Sequence, residues 1–271
     1  MKRTLGFYLL LFLVGFYCLG PYGWQFLTSL KPDEQLTRLP PLFPERPTAV
    51  HYLSLFREPT FLRVILNSAL VASLTTVLSL GVGTLGAFGL AKLKVRYKAA
   101  ILGFILSTTM FPPIATVSPL YMIIRALGLR DTWWALVLTY TTFSLPLSLW
   151  VLTNFFQEIP DDILLAARVD GCGTFQTFYR ILLPLSAPGL FTTLILVFIL
   201  SWNEFLYALT FTSTPASRTI PVAIALFPGI HELPWGDIAA ASVVVTLPLV
   251  LLVIVCQRRI VEGLTAGALK E

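Results

Sequence analysis

Six long stretches without a charged residue constrain this chain more than any other feature of its sequence. They cover residues 4–30, 64–91, 99–124, 132–157, 181–203 and 238–257, and each is at least 20 residues long. A helix needs about 20 apolar residues to cross the hydrocarbon core of a bilayer. A soluble protein with a large buried core would not repeat this length six times. The sequence therefore predicts an all-α membrane protein with six transmembrane helices.

Basic residues in the connecting segments predict the orientation of these helices. The segment KLKVRYK at 92–98 holds four basic residues and no acid, which is typical of a cytoplasmic loop. Lys2 and Arg3 before the first run, and Arg258 and Arg259 after the last, agree with this orientation. Both termini are therefore expected in the cytoplasm. The first run is too long for a signal core and lacks a small-residue cleavage pattern, so it is expected to stay in the protein.

The predicted organisation has four parts. They are an N-terminus with the first transmembrane helix at 1–30, an external loop at 31–60, a five-helix core at 61–257, and a cytoplasmic tail at 258–271. A further external loop is expected at about 212–236. The formal net charge of +5 reflects the basic cytoplasmic loops and gives no reason to expect nucleic acid as a partner.

The sequence contains none of the motifs that would let this chain catalyse a reaction alone. It lacks the GxxxxGK[ST] phosphate loop, the HExxH zinc motif and the GxSxG nucleophile motif. Three scattered cysteines and two distant histidines offer no spacing for a metal site or a disulfide framework. We therefore predict no catalytic residue, no metal site and no cofactor bound by this chain. Any energy source would have to lie on another chain.

A half-polar segment at 158–184 separates the fourth and fifth charge-free runs. Pro160 followed by two aspartates is a favourable helix start, because Pro suits the first turn and acids suit the positive end of the helix dipole. Gly171 predicts the end of this helix, and Thr174 can cap a second short helix that ends at Pro184. The pattern predicts a helix, a turn and a second helix on the cytoplasmic side.

Each of these two short helices has an apolar face. The residues at helical spacing are Ile163, Ala166 and Ala167 on the first helix and Phe175, Phe178, Tyr179 and Leu182 on the second. Small alanines allow a close approach and aromatic rings fill pockets, so the faces suit docking into a groove of a partner protein. An interfacial helix lying flat on lipid fits the same pattern, and the spacing alone does not separate the two interpretations.

The same segment resembles the EAA loop in the permeases of binding-protein-dependent ABC importers, written EAA, three residues, Gly, nine residues and I-x-L-P. Ala166 and Ala167 precede Gly171 by the family spacing, and nine residues after the glycine the chain reads ILLP at 181–184. The family's Glu is Leu165 here. The resemblance implies a coupling helix that seats in a cleft of an ATP-hydrolysing subunit. The coupling residues that it implies are Leu165, Ala166, Ala167, Asp170, Gly171, Phe175, Phe178 and Pro184.

The resemblance covers nearly the whole chain. NSALVAS from Asn67, MFPPIATVSPLY from Met110, GLRDTWWALVLTYTTFSLPLSLW from Gly128, SWNEFLYAL from Ser201 and QRRIVEGLTAGALK from Gln257 are similar to carbohydrate-type permeases. The likeness is greatest to the smaller permease subunit of maltose and trehalose importers. It implies a type I ABC importer permease bundle in the inner or plasma membrane that is not itself an enzyme. The implied partners are a homologous permease in a heterodimer, two ATPase subunits that bind ATP and Mg²⁺, and an external solute-binding protein.

The run SWNEFLYAL, in the outer third of the fifth span, is the strongest candidate for contact with a solute. Asn203, Glu204 and Tyr207 are expected to share a helix face, with Trp202 beside them. A carboxylate costs about 2.5–3.5 kcal/mol at the bilayer centre, and intramembrane acids commonly mark a transport pathway. Pairing of Glu204 and Asn203 with a neighbouring helix is an equally good interpretation.

Weaker signals lie in the other spans. Asn67 and Tyr121 are candidates for the same pathway, although hydrogen bonding between helices or anchoring at the interface is favoured for both. Prolines at 112–113, 146 and 248 are expected to interrupt spans three, four and six. Such breaks suit helices that rock around a cavity, and a plain packing kink explains each of them equally well.

The charges predict the class of solute. A permease for phosphorylated or carboxylated solutes would need buried cations, and no Lys or Arg falls within a predicted span. This pattern favours a neutral sugar, and the resemblance implies half of a translocation path for a di- or oligosaccharide of the maltose or trehalose type. The alternatives are a permease for another polar solute, such as glycerol phosphate, and a proton-coupled secondary transporter that uses Glu204. An integral membrane enzyme would need a catalytic constellation that the chain lacks.

Overall fold

The computed structural model describes residues 2–36, 41–227 and 234–266, with side chains described only within 6–257. The described residues are helical apart from connecting turns and contain no strand, which confirms the all-α prediction. Two compact units are present, Met1–Ile65 with Val222–Val250 and Leu66–Pro221 with Leu251–Glu271. The side chains of Lys2, Arg3, Arg258 and Arg259, all of His231, and the end of the predicted tail lie outside the described residues.

The helices follow one another in a simple order. They are α1 Lys2–Ser29, α2 Asp33–Leu36, α3 Val50–Arg57, α4 Pro59–Lys92, α5 Lys98–Ser107, α6 Pro113–Ala126, α7 Trp133–Glu158, α8 Asp161–Val169, α9 Thr174–Thr177, α10 Leu183–Leu185, α11 Ala187–Trp202, α12 Leu206–Phe211, α13 Ile220–Ala225 and α14 Trp235–Ala266. A 3₁₀ turn, Thr108–Met110, extends α5, and a π-helical turn, Phe178–Leu182, joins α9 to α10.

Several of these helices have the length and composition of membrane spans. Four qualify alone within the described ranges: Gly6–Ser29, Pro59–Lys92, Trp133–Glu158 and Trp235–Gln257. Two bent pairs also qualify, Lys98–Met110 with Pro113–Ala126 at 95° and Thr174–Leu185 with Ala187–Trp202 at 76°. The described chain therefore has four spans, or up to six if each bent pair is one span. The count of six stays a prediction.

Prolines break only one of the three helices that the sequence predicts to be interrupted. Pro112 and Pro113 lie at the bend between α5 and α6, where two consecutive residues without an N–H end the hydrogen-bond ladder. Pro146 and Pro248 lie inside α7 and α14, which continue through them. The predicted interruptions of those two helices are therefore wrong. A single proline removes one backbone hydrogen bond, which packed neighbours can offset.

The first unit is held together around a buried histidine as well as an apolar cluster. Leu55, Phe61, Ala240 and Ala241 form the apolar cluster. The His51 imidazole is buried, with Nδ1 2.8 Å from Oδ1 of Asp237 and Nε2 2.9 Å from the carbonyl oxygen of Lys31. Its ring lies so close to Gly236 that a Cβ there would overlap it. The residues after α1 are thus tied to α3 and to the start of α14.

Small residues bring the helices of the second unit close together. A Cβ on Gly83 of α4 would lie 2.9 Å from the Ser148 Cβ of α7, and Gly189 of α11 faces the Phe155 ring of α7 in the same way. Helices in membranes pack through such close approaches, because lipid offers them no hydrophobic driving force for association. The second unit also contains a buried apolar cluster, which consists of Ala87, Leu152, Phe156, Phe178 and Leu182.

Candidate functional site

A cavity of about 570 Å³ lies within the second unit. Its walls come from the bend between α5 and α6, the middle of α7, and the gap between α11 and α12. The lining residues are Thr108, Thr109, Phe111, Pro113, Tyr140, Phe143, Ser144, Leu200, Ser201, Asn203, Glu204, Phe205, Leu206 and Tyr207. Three of the predicted pathway residues, Asn203, Glu204 and Tyr207, are therefore brought to one cavity.

The chain around Glu204 is not the continuous helix that the sequence predicts. The helix α11 ends at Trp202 and α12 begins at Leu206. The two carboxylate oxygens of Glu204 accept hydrogen bonds from the backbone N–H groups of Tyr207, at 2.9 Å, and Ala208, at 3.1 Å. These are donors that the first turn of a helix leaves unpaired. Glu204 thus lines the cavity and also caps α12.

Tyr207 and Trp202 have different surroundings. The Tyr207 hydroxyl shares a hydrogen bond of 2.6 Å with the Thr116 hydroxyl, and its ring stacks on Phe143 with centroids 4.9 Å apart. The Trp202 indole is buried and stacks on Phe198, with centroids 5.6 Å apart. Trp202 is absent from the cavity wall, whereas Tyr207 contributes an aromatic face to it.

Asn67 and Tyr121 also lie away from the cavity. The Asn67 amide donates to the carbonyl oxygens of Pro215, at 3.0 Å, and Arg218, at 2.9 Å, and accepts from Trp133 Nε1 at 3.1 Å. These bonds use the amide to hold the loop after α12, which favours the structural interpretation of this residue. The Tyr121 ring pairs with Phe211 at a centroid distance of 6.4 Å.

A second clamp on the same loop was not predicted from the sequence. Asp131, with a φ of 59°, accepts hydrogen bonds from the backbone N–H groups of Ser213 and Thr214 and from the hydroxyls of Thr214 and Ser217. Burial raises the pKa of Asp131, but the hydrogen bonds from Ser217, Ser213 and Thr214 outweigh it and hold the pKa at about 2. The loop that follows α12 is thus fixed to the turn before α7.

The segment at 158–184 has the predicted order of helix, turn and helix. The first helix, α8, starts after Pro160, and Gly171 has a φ of 82°, as its predicted stop requires. Two details differ from the sequence prediction. Gly173 is the N-cap of α9, with its N–H bonded to Gln176 Oε1, so Thr174 is the first helical residue. Pro184 lies inside α10, because it occupies the first turn of that helix, where no N–H donor is needed.

The apolar residues of this segment divide between an exposed and a buried set. Leu165 is 55% exposed and Phe175 69% exposed, whereas Ala167 and Phe178 are buried within this chain. Phe178 packs against Phe88 of α4, with ring centroids 5.0 Å apart. The exposed predicted coupling residues are Leu165, Ala166, Asp170, Gly171, Phe175 and Pro184, and the exposed Val169 adjoins them. We call Leu165, Ala166, Val169 and Phe175 the exposed ridge.

A lysine at the end of α4 fixes the start of α8. The Lys92 side chain is only 5% exposed, and its Nζ donates to the Ile159 carbonyl oxygen at 2.6 Å and to Asp161 Oδ1 at 2.7 Å. The hydrogen bond from Lys92 and its charge lower the pKa of Asp161. From the sequence, Lys92 was predicted only to orient the loop toward the cytoplasm, because no local pattern links it to residues 67 and 69 positions away.

The described residues offer no group of three or more His, Cys, Asp or Glu side chains that would hold a metal ion. The described cavity presents hydrogen-bonding groups and aromatic faces, and the exposed ridge presents apolar side chains. Residues 60–265 match the family described as binding-protein-dependent transport system inner membrane component. The chain belongs to this family. The permease is accordingly a multi-pass membrane protein and one component of a larger transport system.

Relatives of this permease cover it almost completely. It is 44% identical to the trehalose transport system permease protein SugB of Mycobacterium tuberculosis, with 94% of this chain and 93% of that protein aligned. It is 43% identical to the sulfoquinovosyl glycerol transport system permease protein SmoH of Agrobacterium fabrum, with 93% and 89% aligned. It is 41% identical to the trehalose/maltose transport system permease protein MalG of Thermococcus litoralis, with 95% and 94% aligned.

A solved structure supports the fold of the permease. A chain from the crystal structure of a bacterial ABC transporter involved in the import of the acidic polysaccharide alginate superposes with a TM-score of 0.80. The match covers 95% of this chain and 96% of that chain at 21% sequence identity. At this identity the likeness concerns the fold alone, which is that of an ABC importer permease.

Proposed function

We propose that this permease forms half of the translocation path of an ATP-driven importer for a neutral di- or oligosaccharide of the trehalose or maltose type. Two of the relatives above are named for trehalose or for trehalose and maltose. A homologous permease would form the other half of the path, and an external binding protein would deliver the sugar. Two ATPase subunits would bind ATP and Mg²⁺ on the cytoplasmic side, where both termini of the permease also lie.

The chemistry of the cavity supports a neutral ligand. Its wall presents hydroxyl groups, one amide and aromatic rings, and none of its lining residues is Lys, Arg or His. Sugars bind to such walls through hydrogen bonds and through contact of their C–H faces with aromatic rings. A phosphorylated solute would meet the Glu204 carboxylate without a compensating cation, so this wall does not favour glycerol phosphate.

The exposed ridge is the observation on which the coupling proposal rests. Leu165 and Val169 are four residues apart on α8, so they share a face, and Phe175 of α9 adds an exposed aromatic ring. Apolar side chains that protrude from a short amphipathic helix suit a groove in another protein. Because Lys92 anchors the start of α8 to α4, a force applied to this ridge would reach a long helix of the permease.

The geometry of Glu204 bears on the secondary-transporter alternative. Both of its carboxylate oxygens accept backbone N–H bonds at the start of α12. Protonation would weaken these bonds, so a proton carrier at this position would destabilise the first turn of the helix that it caps in every cycle. An importer driven by ATPase partners places no such requirement on Glu204, and it is therefore the better-supported function.

Cysteine crosslinking of adjacent residues would test the coupling proposal. Ala166 is exposed and Ala167 is buried, although they are neighbours on α8. A cysteine at Ala166 should crosslink to a cysteine-bearing ATPase subunit in the assembled complex, whereas a cysteine at Ala167 should not. Crosslinking should stop uptake of radiolabelled trehalose into proteoliposomes, and a reducing agent should restore it.

Two results would contradict the proposal. The first is full crosslinking of both cysteines or of neither in a complex that still imports sugar. The second is import that continues at the full rate without ATP and collapses with the proton gradient. A charged probe gives a further comparison, since radiolabelled glycerol phosphate should not replace trehalose as a transported solute.

A further inference from the structure

We propose that the hydroxyls of Tyr140 and Ser201 form a sugar-hydroxyl subsite in the cavity, which rests on the proposed transport function and assigns to it two residues. Tyr140 belongs to α7 and Ser201 to α11, and both line the same cavity. The ligand class is a neutral polyhydroxylated compound. Neither residue belongs to the set that the sequence singles out for the pathway.

Both hydroxyls are buried and lack a hydrogen-bond partner. Tyr140 is 3% exposed and Ser201 6% exposed, yet neither Tyr140 Oη nor Ser201 Oγ has a hydrogen-bond partner. The Tyr140 hydroxyl faces the Glu204 carboxylate in a long, weak contact, and no hydrogen bond of normal length joins the two groups. Folded proteins leave few buried polar atoms unpaired, because such an atom has lost its hydration and gained nothing in exchange. Of the ten such side-chain atoms in the described residues, only these two belong to residues that line this cavity, so a ligand inside it can supply the missing partner of both.

Thr108, Thr109, Asn203 and Glu204, which also line the cavity, are already hydrogen-bonded within the protein. The Thr108 and Thr109 hydroxyls each donate to the backbone carbonyl three residues earlier, at 2.7 Å. The Asn203 amide donates to Ile199, and Glu204 caps α12. Tyr140 and Ser201 thus retain hydrogen-bonding capacity that these neighbours have used. A sugar hydroxyl both donates and accepts, so it matches a tyrosine or serine hydroxyl in either orientation.

Access to the two oxygens requires a change in the cavity wall. Both are enclosed in this conformation, so a ligand reaches them only after the wall has shifted. A permease that alternates between outward-facing and inward-facing states makes such a shift in every cycle. The unpaired hydroxyls disfavour the sugar-free conformation, and a bound sugar would relieve that cost. The subsite would therefore favour the conformation that holds the ligand.

The test removes single oxygen atoms and measures sugar binding directly. The variants are Tyr140→Phe and Ser201→Ala, in the purified complex of this permease with its partner permease and ATPase subunits. The dissociation constants for trehalose and maltose are obtained from the sugar-dependent rise in melting temperature. Thr153→Val and Ser79→Ala are matched controls, because their hydroxyls are also buried and unpaired but belong to no part of this cavity wall.

We expect each cavity variant to raise the dissociation constant about threefold to tenfold, as the loss of one neutral hydrogen bond would. Neither control should change it, and no variant should melt at a lower temperature in the absence of sugar. The dissociation constants of monodeoxy trehaloses provide a second measurement. A purely structural role of Tyr140 would not make its variant insensitive to the loss of one particular sugar hydroxyl. One of the monodeoxy trehaloses should bind the wild-type and Tyr140→Phe complexes equally, because its missing hydroxyl is the partner of Tyr140.

The outcomes separate this subsite from the proposed transport function. If the wild-type complex binds and imports trehalose or maltose but either cavity variant binds them unchanged, the shared subsite is overturned and the transport function stands. The same conclusion follows if the controls lose affinity as much as the cavity variants do. A wild-type complex that neither binds nor imports these sugars would overturn both proposals.

Discussion

Gly189 marks the closest approach of α11 to α7 and allows a quantitative prediction. A Cβ on this residue would lie 2.5 Å from Cδ2 and 2.9 Å from Cδ1 of the Phe155 ring. Carbon atoms in contact normally sit about 3.5–4.0 Å apart, so Gly189→Ala must displace the ring or the helix by about 1 Å. Overpacking of this kind costs about 1–3 kcal/mol, and the higher helix propensity of alanine offsets about 0.5–1 kcal/mol. The net loss should be about 1–2 kcal/mol.

Thermal unfolding of the purified permease in detergent, followed by near-ultraviolet circular dichroism, would measure this loss. The melting temperature should fall by about 2–8 °C for a chain of this size. Gly89→Ala in α4 is the matched control, because no atom lies within 4 Å of the Cβ that it would add. That variant should melt at the wild-type temperature or slightly above it.

A second substitution identifies the ring as the cause. Phe155→Ala removes Cγ, Cδ1 and Cδ2, the ring atoms that the new methyl group meets, so the double variant should be more stable than the sum of the two single effects by about 1 kcal/mol. A Gly189→Ala permease as stable as wild type would refute the reasoning. So would a Gly89→Ala variant that loses as much stability as Gly189→Ala.

Three further substitutions test contacts outside the spans. His51→Leu removes the ring nitrogens that contact the Lys31 carbonyl oxygen and the Asp237 carboxylate and should lower the free energy of unfolding by about 2–3 kcal/mol, whereas the exposed Leu53→Ala on the same helix should change it little. The lowered pKa of Asp131 adds stability that is present above pH 3.8 and lost as the pH falls through about 2. Asp131→Asn should therefore cost about 1–2 kcal/mol at pH 7, after allowance for solvent screening, and should flatten acid unfolding between pH 5 and 2. Lys92→Met should raise hydrogen exchange in α8 several-fold while α7 stays protected; unchanged exchange would contradict the anchoring role.

The sequence predicted those features of this permease that neighbouring residues determine, namely the long helices and the two ends of α8. The apolar runs lead to the long helices because length and hydropathy are properties of contiguous residues. Pro160 and Gly171 bound α8 because each acts on its own backbone. The predicted interruption at Pro146 was wrong because its effect is not local. Proline removes one hydrogen bond, and the packing of α7 against its neighbours determines whether the helix continues.

The features that the sequence did not predict depend mostly on contacts between residues far apart in the chain. Lys92 meets Asp161, 69 residues later, and Asp131 meets Ser213, 82 residues later. No periodicity encodes such pairs. The helix break at Glu204 is a different case, since an acid three residues before a helical N–H is a capping signal that the sequence does contain. It was interpreted as part of one helix face because the flanking residues are apolar enough to continue the span.

The contact between Lys92 and the start of α8 affects how a displacement of α8 would be transmitted to the long helices α4 and α7. The peptide chain connects α8 directly to α7, whereas α4 is joined to the start of α8 through the Lys92 ammonium group, bonded to a carbonyl oxygen and a carboxylate, and through the apolar cluster on which Leu164 packs. Asp161 faces solvent, so dissolved ions screen this attraction. When α8 is displaced, α7 would therefore move with it at every ionic strength. The accompanying movement of α4 would become smaller as the salt concentration increases. Under the proposed coupling function, the amount of sugar imported per ATP hydrolysed should thus decline with salt before the proposed assembly dissociates.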